Sequence, residues 1–153
     1  MKFARVLVAA GMIVFAGGLA AHAAEYQVQT LNKSTNGMFQ FEPQQLKIQP
    51  GDTVHFVAKD KGHNVETIEG MIPDGASPFK SGFGQDFTVT FTNAGVYGIK
   101  CAPHYGMGMV GLIVVGDASR NLKKAEAVSH PGKAKSTFAA LFKTVSTQTA
   151  AQR

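Results

Sequence analysis

The stretch Val96-Tyr97-Gly98-Ile99-Lys100-Cys101-Ala102-Pro103-His104-Tyr105-Gly106-Met107-Gly108-Met109-Val110-Gly111-Leu112-Ile113-Val114-Val115 sets two apolar runs on either side of a loop rich in sulfur and glycine. Both runs are short, and Asn93-Ala94-Gly95 and Gly116 bound them with turn signals. This pattern predicts two strands joined by the loop. Reading outward, Tyr26 to Leu31 alternates as a half-buried strand should, and so does Leu46-Lys47-Ile48. Pro50-Gly51-Asp52 marks a turn into Thr53-Val54-His55-Phe56-Val57. Phe87, Val89 and Phe91 share one face, with Thr88, Thr90 and Thr92 on the other. Several strands of this length between Gly and Pro turns indicate a mostly β protein, a sandwich or barrel. Pro73 to Gly84 is the longest irregular stretch.

After Gly116 the period changes. Asp117 or Ser119 is placed to cap a short helix through Val128, and His130-Pro131-Gly132 breaks it. Ala134, Phe138, Leu141, Phe142 and Val145 then recur at helical spacing and form one apolar stripe that predicts packing on the sandwich.

At the other end, Lys2 and Arg5 precede an uncharged apolar run, Val6 to Ala21, interrupted by Gly11, Gly17 and Gly18. Ala21-His22-Ala23 supplies the small-x-small pattern of a signal peptidase site, so residues 1–23 read as a cleaved signal peptide. The run is on the short side for a membrane span. The expected organisation is one exported domain over 24–153, with the sandwich in 24–116 and the helices in 117–153.

The chain has 153 residues and a formal charge of +5, with a pI near 9.4. That charge is uneven: 24–116 carries a net −2 and 117–153 a net +5. No basic-aromatic face or nucleic-acid motif accompanies it. Lys33, Lys59, Lys61, Lys80 and Lys100 fall close to expected loops or strand ends, where one end of the fold can gather them. The hydrophobic fraction of 44% excludes a disordered chain. One cysteine excludes an intrachain disulfide and a four-thiolate metal site. Asn32-Lys33-Ser34 matches a glycosylation acceptor at chance frequency. No phosphate loop or Ser/His/Asp arrangement is present.

The chemistry lies in the loop. Cys101, His104, Met107 and Met109 offer soft sulfur and imidazole donors, which select copper. Thioether is an uncommon zinc ligand, which counts against zinc. Two imidazoles and a thiolate with a weak axial thioether form the donor set of blue-copper electron-transfer sites. The loop lacks one imidazole, and His63 in Asp60-Lys61-Gly62-His63-Asn64-Val65 can provide it from upstream. Residue chemistry does not choose between Met107 and Met109. Strand anchoring favours Met109, which begins the run Val110 to Val115, over Met107, which lies between two glycines. Asn64, beside His63, is expected to tie its loop to the Cys101 loop.

Three stretches then carry a resemblance: Asp60 to Thr67, Gly70-Met71-Ile72-Pro73-Asp74-Gly75-Ala76, and Gly95 to Gly111. The chain resembles the pseudoazurins, small periplasmic cupredoxins. The resemblance covers the mature chain, including the two C-terminal helices, and is weaker from Gln40 to Gln49 and in the tail. It implies a Greek-key cupredoxin β-sandwich with one copper ion at one end. Carried over by position, the ligands are His63, Cys101, His104 and Met109. It also implies a soluble, monomeric one-electron carrier, not an enzyme, that binds neither nucleic acid nor membrane. Such a carrier shuttles electrons to a reductase, typically copper-containing nitrite reductase, in a denitrifying periplasm, from a donor such as a c-type cytochrome. The alternative is a periplasmic protein for copper storage or delivery, a class that tends to offer Met- or His-rich open sites.

Overall fold

The computed structural model describes residues 23–150, the side chains of 149 and 150 excepted; the signal-peptide reading therefore falls almost wholly outside the described residues. Among the described residues, eight strands make up two four-stranded sheets. They are β1 (Glu25–Ser34), β2 (Gly37–Glu42), β3 (Gln45–Ile48), β4 (Thr53–Val57), β5 (Glu66–Thr67), β6 (Phe87–Thr90), β7 (Gly95–Lys100) and β8 (Val110–Val115). The sheets run β2-β1-β4-β6 and β3-β8-β7-β5, with β1/β4 and β3/β8 parallel and the remaining pairs antiparallel. The result is a β-sandwich, one of the two architectures that the alternating strands indicate and the one that the resemblance implies.

Two strands exceed what the periodicity announces. The hairpin partner β2 carries Met38, Phe39 and Phe41 without clean alternation, because Phe39 has a left-handed backbone, φ 53°, that breaks the pleat. Strand β5 has two residues, too few to show any period.

The core has two layers. Between the sheets, Val28, Phe41, Val54, Phe56, Phe91, Tyr97, Ile99, Ile113 and Val115 pack together, and Cys101 and Met109 belong to the same cluster. On the far side of β8, Val110, Leu112 and Val114 meet a second cluster that includes the predicted stripe Ala134, Phe138, Leu141, Phe142 and Val145. Strand β8 is thus buried on both faces, which explains its unbroken apolar run. The stripe lies on α2 (Gly132–Ala150), reached through a 3-10 turn (Ala118–Arg120) and the short α1 (Leu122–Glu126). Asp117 caps the turn by accepting from the Ser119 amide.

Two loops meet at one end of the sandwich. One follows β4 and carries His63; the other joins β7 to β8. The β7/β8 ladder runs to Lys100↔Val110, and Cys101 N–H donating to the Met109 carbonyl at 3.0 Å extends it one step. The loop is therefore closed at its base by Cys101 and Met109.

Candidate metal centre

Cys101 and His63 are buried, and His104 is half-buried on a 3-10 turn, Ala102–His104. Their donor atoms form a triangle. His63 Nδ1 and His104 Nδ1 are 3.1 Å apart, and Cys101 Sγ lies 3.6 Å from the first and 3.5 Å from the second. The centre of such a triangle lies about 2 Å from each corner, the length of a metal–imidazole bond and slightly short for metal–sulfur. Among the described residues these three form the cluster of His, Cys, Asp or Glu able to hold a metal. The donor set, soft thiolate with two imidazoles, fits copper.

Each imidazole is aimed by a contact on its other side. Asn32 Oδ1 accepts from His63 Nε2 at 2.9 Å, which leaves Nδ1 free to face the centre. The His104 ring lies flat against Phe39, with centroids 4.1 Å apart and planes 7° apart. Neither Asn32 nor Phe39 shows in the sequence as part of the site. Their reach to the histidines spans dozens of residues, and only the β1/β2 hairpin brings them there.

Met109 is fully buried; its N–H donates to the His104 carbonyl and its own carbonyl receives Cys101 N–H. Met107 is 54% exposed. The structure thus separates the two thioethers, one inside with Cys101 and one outside. His55 pairs with Glu25 and Thr88 on the sheet surface, away from the site.

Asn64 ties the two loops as expected. Its Oδ1 accepts the Ala102 N–H at 2.8 Å and its Nδ2 donates to Glu66. Replacing it with alanine strands the Ala102 donor next to the buried Cys101. Asn64→Ala should cost about 1–3 kcal/mol and shift the copper potential. Unchanged unfolding and unchanged potential would refute this role.

The helices hold the outer rim of the loop. Tyr105 Oη lies 2.6 Å from His130 Nδ1, whose ring packs 4.2 Å from Phe138, and Lys133 N–H donates to the Gly106 carbonyl at 2.9 Å. His130 is therefore more than the linker residue that its Pro-Gly context indicates.

Burial lowers the His63 pKa, and the neighbouring His104 lowers it further against a smaller opposing effect of Asp60. Burial raises the Cys101 thiol, partly offset by the backbone amides of Asn64 and His104. At neutral pH the metal-free site therefore holds a neutral His63 imidazole and a protonated Cys101 thiol. Copper(II) must displace the thiol proton, so its apparent affinity should rise about tenfold per pH unit around neutrality. A pH-independent affinity would contradict thiolate coordination.

The lysines gather only in part. Lys33 and Lys61 are exposed beside Asn32 and His63, whereas Lys80 and Lys100 are paired with Glu66.

The pattern of the copper binding proteins of the plastocyanin/azurin family matches residues 28–116. The chain is 50% identical over 132 residues to a pseudoazurin of Methylorubrum extorquens, covering 85% of this chain and 89% of the relative. It is 44% identical to a pseudoazurin of Paracoccus pantotrophus, covering 87% and 92%. A crystal structure of pseudoazurin from Methylobacterium extorquens AM1 superposes with a TM-score of 0.77 at 48% identity, covering 79% of this chain and 98% of that one.

Proposed function

From the premise that this chain belongs to the pseudoazurins, within the plastocyanin/azurin family of copper-binding proteins, we propose that His63, Cys101, His104 and Met109 hold its copper. We propose further that it carries electrons from a c-type cytochrome to a copper-containing nitrite reductase in a denitrifying periplasm. The chain is a type 1 copper electron carrier that works with redox partners, and it is not an enzyme. The observation that carries the ligand assignment is the triangle of donor atoms, with Met109 fully buried in the same core cluster as Cys101.

Copper bound there supplies a one-electron couple. The chain's own residues do the rest. The closed loop base, the Asn64 tie and the Phe39 stack hold the donors in one arrangement, so little has to move between oxidation states. The buried sulfur excludes water. His104 is the donor nearest the surface, and the exposed Ala102, Pro103, Gly106 and Met107 surround it with small and apolar contact surface. Electrons then leave through its imidazole.

Residues 1–23 direct export and 24–153 act as one monomeric domain in this reading. Among the described residues no helix is long and apolar enough to cross a membrane. Loading the purified protein with copper(II) tests the site: an intense visible thiolate-to-copper band is expected, and a colourless copper complex would overturn it. Reduced protein should then be oxidised by nitrite reductase but should not itself turn over nitrite.

Lys33 and Lys61 are placed to steer an acidic partner. Lys61→Glu should slow association severalfold at low salt, with the effect fading as the screening length falls below about 10 Å. An unaltered rate at low salt would remove steering from the account.

A further inference from the structure

Glu66 takes no part in the function described so far, yet its carboxylate is joined to Asn64, the residue that ties the two metal loops. It sits on β5 opposite Lys100, the residue before Cys101, and forms an isolated bridge with Lys80. Its Oε2 accepts from Asn64 Nδ2 at 3.0 Å and lies 3.1 Å from Lys80 Nζ; its Oε1 lies 3.4 Å from Lys100 Nζ. The Glu66 side chain is 14% exposed, against 67% for Lys80.

The chemistry of the amide makes this contact decisive. Asn64 can hold the Ala102 N–H only if its oxygen, and not its NH2, faces that way. A half-turn of the amide exchanges the two at almost no steric cost. An ionised carboxylate only accepts, so it captures the NH2 end and leaves the oxygen for Ala102.

We propose that Glu66 is a positioning and charge-setting residue of the metal site: it fixes the amide of Asn64, and through it the Cys101 loop, and places one shielded negative charge beside that loop. The consequence for copper rests on the ligand assignment above; the positioning of Asn64 does not. Burial pushes the Glu66 carboxyl up, but hydrogen bonds from Lys80, Asn64 and Lys100 more than reverse this, so the group is ionised. The charge sits against Lys100, which adjoins Cys101 in the chain. A negative charge there favours copper(II) over copper(I). Lys80 and Lys100 shield it.

Two substitutions separate charge from shape. Glu66→Gln keeps an acceptor for Asn64 and removes the charge. It should lower the ratio of copper(II) to copper(I) affinity about tenfold, a rise in potential of about 59 mV for a one-electron couple. Lys80→Gln unshields the carboxylate and should move the ratio the opposite way by less, because Lys80 is largely exposed. In copper-free protein, Glu66→Ala should speed Ala102 amide hydrogen exchange about tenfold, whereas Glu66→Gln should leave it near wild type. A Glu66→Gln ratio within twofold of wild type, or both variants shifting the same way, overturns the charge role. Unchanged Ala102 exchange in Glu66→Ala overturns the positioning role. Wild-type protein that binds no copper would refute the ligand assignment instead, and the exchange comparison would still decide whether Glu66 holds Asn64.

Discussion

Met109→Gln should lower the reduction potential and change the visible spectrum, while Met107→Gln should leave both nearly intact. Both residues are thioethers on the same loop, so the contrast depends on where the fold puts them. Met109 is fully buried with Cys101, and its backbone is hydrogen-bonded to Cys101 and to His104. Met107 is 54% exposed beside His104. An amide oxygen is a harder donor than a thioether and favours copper(II). A hundredfold gain in copper(II) over copper(I) affinity corresponds to a fall of about 120 mV for a one-electron couple. Voltammetry and the visible spectrum of the two variants provide the test. If Met107→Gln gives the large change, the axial ligand is Met107 and the copper loop is two residues shorter.

Gly132→Ala should cost the protein about 2–3 kcal/mol, which is large for the addition of one methyl group. Gly132 begins α2 with φ 50°, a left-handed conformation that alanine adopts only with strain. The added Cβ would also collide with the carbonyl oxygen of Gly106. That oxygen already accepts the Lys133 N–H, so it cannot withdraw without breaking the contact between α2 and the metal loop. Gly106→Ala is the control, because a Cβ there meets nothing within 4 Å; it should stay within about 0.5 kcal/mol of wild type. Chemical denaturation of the two variants measures the difference. A Gly132→Ala loss no larger than that of Gly106→Ala would mean that α2 does not press on the loop.

Much of this protein is legible along the chain, for a local physical reason. Strand β4 and strand β8 follow from alternation and from an unbroken apolar run. The helical stripe Ala134 to Val145 is likewise visible, because a period of 3.6 needs only neighbouring residues to show itself. The sulfur-rich loop is equally local: Cys101, His104 and Met109 lie within nine residues, and donor chemistry alone points to copper. The tie made by Asn64 is anticipated because it adjoins His63, a candidate ligand. What the chain hides is whatever depends on chance proximity in space. Strand β2 escapes notice because Phe39 breaks its alternation with a left-handed backbone. That same kink brings its ring to rest on His104. Asn32, Glu66 and His130 are ordinary polar residues in sequence. They become supports of the site only when β1 lies beside the His63 loop, β5 pairs with β7, and α2 folds back against Gly106. Donor identity is a property of side chains and can be read one residue at a time. Donor orientation is set by hydrogen bonds and ring contacts across dozens of residues, and only the packed sandwich supplies those.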